Sequence, residues 1–346
     1  MAVGFGKYIA YRILNGIVIL FFAVLIMSAL FTKVATIQAQ AQVDLQTQMW
    51  INDYIQTHGE APSEEQIAAY REYLKKRYGL TKSYLERVWM YTIDTFTFQW
   101  GQSNQALFGT HDVKSQIKTA LGRTVILFTT AQIIIILIGI TLGTKCAQKP
   151  GSLLDRTVSI LAMFTTSLPT WWLGMLMILV FVFYLGLLPV KLYSQVYMPH
   201  WSDLLKKMTL PVLTLVVVAF GGWSWIIRNI MIGTMQEDFI MVARAKGVPE
   251  RKVIYGHALR ASAPPIVTMI IFAMLGSMGG AIITEIIFNW PGMGRLYWQA
   301  IQANAVRTMM ALNYMFAFIY VFAMVLADIL YGYLDPRVRV GAAARS

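Results

Sequence analysis

The stretch that decides the fold is Glu237 to Thr268, which reads EDFIMVARAKGVPERKVIYGHALRASAPPIVT. It is the most charged run in the second half of the chain, and an uncharged apolar stretch of about bilayer length lies on each side. Gly247 suits the left-handed turn that ends a helix, while Pro249 and Glu250 suit the start of the next one. We therefore expect two short helices, at 236–246 and 249–261. Their bent arrangement between two membrane spans is called the elbow below.

The composition is that of a membrane protein with several spans. Hydrophobic residues make up 57% of the 346 residues and charged residues only 13%, which is outside the range of soluble domains. The net charge is +12, but the basic residues are not gathered with aromatic residues on one face, as nucleic-acid binding would require. The single cysteine, Cys146, excludes an internal disulfide and a cysteine metal cluster.

Six uncharged stretches are long enough to cross a bilayer. They are Ile13–Thr32, Thr124–Thr144, Thr157–Val190, Met208–Ile227, Ala261–Thr284 and Thr308–Ala327. The third contains Pro169 and is over-long, so it is either one kinked span or a tight hairpin of two. If it is one span, fourteen Lys and Arg residues lie on the side of the elbow and both termini, against five in the short loops opposite. The positive-inside rule then favours one span, with both termini and the elbow in the cytoplasm.

These stretches predict a simple division of the chain. We expect an N-terminal transmembrane helix at 1–33, an extracytoplasmic helical insertion at 34–118, a core of five transmembrane helices at 119–340 and a tail at 341–346. In the insertion, Ser63 and Gln66 form a capping-box pattern that predicts a helix start, and Gly79 should end that helix. A second helix is expected from Thr81.

The usual catalytic motifs are missing from the sequence. It has no phosphate-binding loop, no H-E-x-x-H, no G-x-S-x-G and no metal-binding spacing of Cys and His. We therefore do not expect an enzyme, nor a catalytic, cofactor or metal site on this chain.

Five blocks in order give a specific resemblance. They are SLPTWWLG at 167–174, ARAKG at 243–247, HALR at 257–260, EIIFNWPGMG at 285–294 and DPRVR at 335–339. Together with their spacing, they resemble the permeases of the oligopeptide, dipeptide and nickel family of ATP-binding-cassette (ABC) importers. The likeness covers about 114–340. The Glu-Ala that opens the general pattern of this family's cytoplasmic loop is Met241-Val242 here.

The resemblance implies an all-α polytopic membrane protein with six transmembrane helices, the type I ABC importer permease fold. It implies a second homologous permease subunit, two cytoplasmic P-loop ATPase subunits that bind ATP and Mg²⁺, and an extracytoplasmic solute-binding protein that delivers peptides. Oligosaccharides and nickel complexes are the alternative substrates. The ATPase would hold a coupling loop at 235–262. The expected contacts are Glu237, Asp238, Val242, Ala243, Arg244, Lys246, Gly247, Val248, Pro249, Glu250, Arg251, Lys252 and Val253.

The outer end of the fifth span holds the candidates for a gate or a pathway. They are Glu285, Trp290, Pro291, Gly292 and Gly294. The competing interpretation is structural: a carboxylate held by backbone groups at the interface, followed by a helix terminator. Asp328, near the end of the last span, is expected to pair with Arg228 or Arg337, because an unpaired charge in a span costs about 3 kcal/mol or more.

Two other classes of protein compete with an importer subunit. A secondary transporter driven by an ion gradient would carry inverted repeats and ionisable residues at mid-span, and neither is visible in the sequence. A membrane scaffold would need no solute path. Co-purification with a P-loop ATPase discriminates both from the importer.

Overall fold

The computed structural model describes residues 5–190 and 201–334, which are almost entirely helical. The first half contains α1 Phe5–His58, α2 Glu64–Arg77, α3 Tyr84–Phe96, β1 Gln102–Leu107, β2 Thr110–Asp112, α4 Val113–Gln148, α5 Leu153–Thr166 and α6 Thr170–Tyr184. The second half contains α7 Trp201–Met235, α8 Asp238–Ala245, α9 Glu250–Ala261, α10 Ala263–Ser277, α11 Ile282–Ile287, α12 Met293–Gln302 and α13 Val306–Leu334. The chain divides into two compact units. The smaller unit is 14–116 with 299–318, and the larger unit is the remainder.

Four of the described helices are long and apolar enough to cross a membrane, namely α1, α4, α7 and α13. Two bent pairs raise the number to as many as six if each pair is one span. The pair α5 and α6 bends by 96° at Pro169, and the pair α9 and α10 bends by 60°. Proline explains the first bend, since its ring cannot continue a helix. The over-long third stretch is thus a broken helix.

The smaller unit confirms the predicted start of its first short helix and moves the start of the second. Ser63 and Gln66 form the expected capping box at α2, and Gly79 follows its end in a left-handed conformation, with φ +70°. The next helix begins at Tyr84 rather than near Thr81, because Ser83 and Glu86 form a second capping box. Two features were not predicted. The first helix continues unbroken to His58, and β1 and β2 pair in a short antiparallel hairpin.

The unit has its own core of aromatic residues beside the hairpin. Trp100 and Tyr314 are buried, and their rings meet edge to face with centroids 6.2 Å apart. The Tyr314 hydroxyl donates to the Phe96 carbonyl at 3.1 Å. The Thr308 hydroxyl donates to the Gln116 side-chain carbonyl at 3.0 Å. These contacts tie α13 to α3 and α4 within this unit.

In the larger unit, α4 and α7 approach each other closely at two glycines. A Cβ atom at Gly139 would lie 2.7 Å from the Cβ of Trp223, and one at Gly143 would lie 2.6 Å from the Ser224 carbonyl. The two glycines are one helical turn apart, in a small-x-x-x-small pattern that lets backbones pack in membranes. Such contact fixes α7 against α4 above the elbow.

Asp328 and Arg228 are both paired in the larger unit, but not with each other as the sequence led us to expect. The carboxylate of Asp328 pairs with Arg12, with Nη1 and Oδ2 3.2 Å apart. Arg228 instead forms a two-pronged ion pair with the buried Asp155, and its Nη2 lies 2.8 Å from Oδ2. The predicted Arg228–Asp328 pair is therefore wrong, although pairing with an arginine on the same predicted side is correct. The alternative partner, Arg337, lies outside the described residues.

Candidate functional site: the elbow and the outer turn

The backbone of the elbow is a helix end followed by a sharp turn. Gly247 has φ +74°, a conformation that costs a residue with a side chain about 1–2 kcal/mol. The Val248 amide donates to the Ala243 carbonyl at 3.2 Å, and the Gly247 amide donates to the Arg244 carbonyl at 2.9 Å. This pair of bonds is the Schellman motif. The predicted role of Gly247 as the residue that ends α8 is confirmed.

An ion pair crosses the turn. The Arg244 guanidinium contacts the Glu250 carboxylate twice, with Nη2 and Oε1 2.7 Å apart and Nε and Oε2 3.2 Å apart. Both side chains are roughly half exposed, so the pair contributes less than about 1 kcal/mol. Its value is geometric, because a two-pronged contact fixes the angle between α8 and α9.

The inner side of the elbow is part of the core of the larger unit. Ile240 and Ala243 from α8 and Val253, Ile254 and Ala258 from α9 are buried against α4, α7 and α10. Ala243 and Val253 thus face the chain's own core, and their contact with a partner stays a prediction. Val248 is half-buried in the same cluster.

Polar contacts reinforce this attachment. The Ser262 hydroxyl donates to Thr234 Oγ1 at 2.8 Å, and Gln148 Nε2 donates to the Tyr255 hydroxyl at 3.2 Å. Through these bonds α9 is joined to the ends of α7 and α4. These bonds add to the packing of the elbow against the same helices.

The outer side of the elbow is exposed and mixes charge with apolar surface. The predicted charged residues are all exposed: Glu237, Asp238, Arg244, Lys246, Glu250, Arg251 and Lys252. Val242 and Pro249 are exposed beside them. Phe239 and Met241 also project outwards, with 46% and 54% of their surface accessible. Neither residue was predicted, although Phe239 lies one helical turn before Val242 on α8 and could have been indicated by that spacing.

The second candidate group lies between α10 and α12, and we call residues 285–295 the outer turn. Glu285, Trp290, Pro291, Gly292 and Gly294 are all buried, as the sequence placed them together. The turn itself is again a Schellman motif, with Asn289 at φ +53° and the Trp290 amide donating to the Glu285 carbonyl at 2.7 Å.

The carboxylate of Glu285 is satisfied within the chain. Its Oε1 accepts a hydrogen bond from the Thr124 hydroxyl at 2.7 Å, and its Oε2 accepts one from the Arg295 amide at 3.0 Å. Thr124 Oγ1 in turn accepts from the Met293 amide at 2.8 Å. The first amides of a helix have no partner within the helix. Glu285 and Thr124 therefore cap the first turn of α12 by accepting from these amides. Thr124 was not among the predicted residues.

The glycines and the tryptophan of the outer turn make this packing possible. A Cβ atom at Gly292 would overlap both Glu285 Oε1 and Thr124 Oγ1, and one at Gly294 would lie 2.5 Å from the Ile282 Cα. Trp290 is fully buried against Leu127 and Phe128, and its indole N–H donates to the Arg123 carbonyl at 3.1 Å. The arrangement supports the structural interpretation of Glu285.

Several expectations fall outside the described residues. They concern the DPRVR block at 335–339, the tail at 341–346 and the first four residues. Within the described ranges, the fold and the elbow define a class: a helical membrane protein with several apolar helices and an exposed, charged elbow.

Comparison with known proteins identifies the family. Residues 135–340 match the model of the binding-protein-dependent transport system inner membrane component. The chain belongs to this family of ABC transporter permeases, and it is thus a multi-pass membrane component of such a transport system, a transporter subunit rather than an enzyme.

Curated relatives agree with this assignment. The dipeptide transport system permease protein DppB of Lactococcus lactis is 31% identical, and the alignment covers 78% of this chain and 85% of the relative. DppB of Escherichia coli K12 is 30% identical over 65% of this chain and 71% of its own length. The oligopeptide transport system permease protein AppB of Bacillus subtilis is 28% identical over 69% of this chain and 78% of its own length.

Proposed function

We propose that the chain is a transmembrane subunit of an ABC importer that takes up dipeptides or oligopeptides. It would pair with a second, homologous permease subunit and receive peptides from an extracytoplasmic solute-binding protein. Two cytoplasmic ATPase subunits, which bind ATP and Mg²⁺, would hold the elbow. The names of the relatives support peptides as the substrate class.

The observation that carries the proposal is the two-sided elbow. Its outer side offers charges of both signs and an apolar strip at Phe239, Met241 and Val242, a surface suited to orient and hold a protein partner. Its inner side is buried against the ends of α4, α7 and α10. Closure of the ATPase pair would therefore move these helices together and open the pathway alternately to each side. The charge distribution supports a topology with both termini and the elbow in the cytoplasm.

The outer turn has a matching role in this proposal. Because Glu285 is bonded to Thr124 and to the Arg295 amide, the turn would act as a rigid joint between α11, α12 and α4 rather than as a peptide-binding group. Peptide selectivity would then depend on the binding protein. We infer that six spans are formed, with the bent pairs α5–α6 and α9–α10 each counted as one.

Reconstitution tests the proposal. The chain, co-expressed with its genomic neighbours, is purified and examined for a bound P-loop ATPase. The assembled complex in liposomes, with the binding protein outside, is then supplied with ATP inside and with labelled peptides outside. We expect ATP-dependent peptide uptake that requires the binding protein. Uptake of only oligosaccharide or nickel complexes would overturn the substrate, and uptake driven by an ion gradient without any ATPase would overturn the class.

A further inference from the structure

We propose that the smaller unit carries a binding cleft of its own for short acidic peptides in an extended conformation. The inference rests on the proposed function in placing this unit outside the cytoplasm, where peptides arrive. The cleft is distinct from the elbow and from the outer turn, because all of its lining residues belong to the smaller unit.

The cleft is a half-open cavity of about 670 Å³, within the size range of ligand sites in proteins. One wall is the second half of α1, and the other walls come from the end of α2, from α3, from β1 and from the first turn of α13. Since five elements converge on it, the cavity is a feature of the fold of this unit rather than a gap beside a single loop.

The wall from α1 has the chemistry that a peptide backbone needs. Gln38, Gln42 and Gln46 follow one another at intervals of one helical turn, and Ala35 and Ala39 line the cleft from the same helix. Each glutamine amide offers two N–H donors and one carbonyl acceptor. Each peptide unit of an extended ligand has one N–H and one carbonyl group, and both can pair with such an amide. The two alanines leave space in front of the amides. Such a row of amides can bind the main chain of a peptide regardless of the peptide's side chains.

The Gln46 side chain is already held in place by a hydrogen bond. Gln46 Nε2 donates to the Tyr78 hydroxyl at 2.8 Å, which leaves its carbonyl oxygen to accept from a ligand. From β1, Gln102 and Asn104 add further amide groups to the lining. The ligand would therefore contact amides of both α1 and β1.

The charge of the lining selects acidic ligands. Lys76, Arg77, Lys82 and Arg307 line the cleft, and Asp94 is its single carboxylate, so three positive charges are in excess. Asp94 lies within electrostatic reach of Arg307 and Lys82. Side-chain or terminal carboxylates of a peptide would be attracted by the remaining excess charge.

Arg307 is placed by the hairpin. A Cβ atom at Gly101 would lie only 2.8 Å from its Nη1, so the guanidinium rests directly on the glycine backbone before β1. Gly101 has φ +66°, which favours glycine there. The chain thus brings a planar group that binds carboxylates in two-pronged fashion to the edge of the cleft.

The test uses the assembled complex in nanodiscs, without ATP and without the solute-binding protein. Binding of a fluorescent hexapeptide of alternating alanine and glutamate is followed by fluorescence anisotropy, and peptides with glutamine or lysine in place of glutamate serve for comparison. We expect the acidic peptide to bind most tightly and to weaken as the salt concentration rises from about 0.05 M to about 0.5 M.

Variants locate the binding. Lys82→Gln and Arg307→Gln should each weaken binding of the acidic peptide by about two- to fivefold, and Asp94→Asn should strengthen it by removing the opposing charge. Lys75→Gln is the matched control. It removes the same charge from α2, next to Lys76, but Lys75 does not line the cleft. Gln42→Leu should weaken all three peptides, whereas Gln48→Leu, also outside the cleft lining, should not.

The outcomes separate this inference from the proposed function. Two results would overturn only the proposal that the cleft binds acidic peptides. One is normal peptide import by a complex that shows no acidic-peptide binding, and the other is an equal effect of Lys75→Gln and Lys82→Gln. Binding that appears only with the solute-binding protein present, and that is lost in Lys82→Gln, would mean that the cleft holds a segment of that protein instead. If the assembled complex binds the acidic peptide in the cleft but imports no peptide, that result would count against the proposed function only.

Discussion

The elbow and the outer turn are built on the same backbone device but in opposite surroundings. Each ends a helix with a Schellman motif, at Gly247 in one and at Asn289 in the other. Around Gly247 nothing lies within 4 Å of the position where a Cβ atom would be, while Gly292 in the outer turn has no space for one. The elbow presents its ion pair to solvent, and the outer turn seals its carboxylate inside. The same backbone geometry therefore forms an exposed surface in the elbow and a packed joint in the outer turn.

The largest contrast should come from the same substitution made in both regions. Gly292→Ala places a methyl group on the buried Glu285 carboxylate and Thr124 hydroxyl, so we expect overpacking to cost about 3 kcal/mol or more, with poor expression. Gly247→Ala meets only the strain of its positive φ, about 1–2 kcal/mol. Thermal unfolding of the purified chain in detergent measures both. Equal shifts of the melting temperature would show that the two turns are not packed differently.

Removal of the carboxylate should also be costly. Glu285→Ala leaves the Arg295 amide and the Thr124 hydroxyl without their buried acceptor, and we expect a loss of about 3 kcal/mol. Glu285→Gln keeps the shape and one acceptor, so it should lose less. If Glu285 contacted peptide instead, both variants would melt like the parent protein and differ only in uptake.

The elbow should respond in function more than in stability. Gly247→Val forces a β-branched residue into the left-handed region, which should tilt α8 against α9 and uncouple ATP hydrolysis from uptake. Gly247→Asn is the matched control, because asparagine accepts this conformation, and it should retain most of the coupling. The ratio of peptide transported to ATP hydrolysed in liposomes gives the result. Normal coupling in the valine variant would contradict the proposed role of the elbow.

The smallest effect is expected for the exposed ion pair. In a double-mutant cycle with Arg244→Ala and Glu250→Ala, we expect a coupling energy of about 0.3–1 kcal/mol that decreases at high salt. Unfolding of the four proteins at two salt concentrations measures it. The equivalent cycle between Thr124→Val and Glu285→Gln in the outer turn should give a larger value that changes little with salt. A salt-independent Arg244–Glu250 coupling would mean that this pair is not solvated.

Local chemistry explains which parts could be predicted. Ser63 with Gln66, Gly79 and Gly247 act through their own backbone neighbours, so their roles are visible in a short window of sequence. Arg228 was a wrong prediction for the partner of Asp328, because the observed partner, Arg12, lies at the other end of the chain. Likewise, the pattern of α8 did not distinguish Ala243, which is buried, from Val242, which is exposed. That distinction depends on which helices lie behind the elbow.

By itself, the sequence determined the family, the positions of the apolar helices and the break at Gly247, because hydropathy and turn chemistry act over short distances along the chain. Only the tertiary structure decided that Glu285 is bonded to Thr124 and that Asp155 pairs with Arg228. It also decided that glutamines of α1 and β1 meet cations of α2, α13 and the loop after α2 in one cleft. These contacts join residues far apart in sequence. Their geometry is set by the packing of whole helices, which no local pattern encodes.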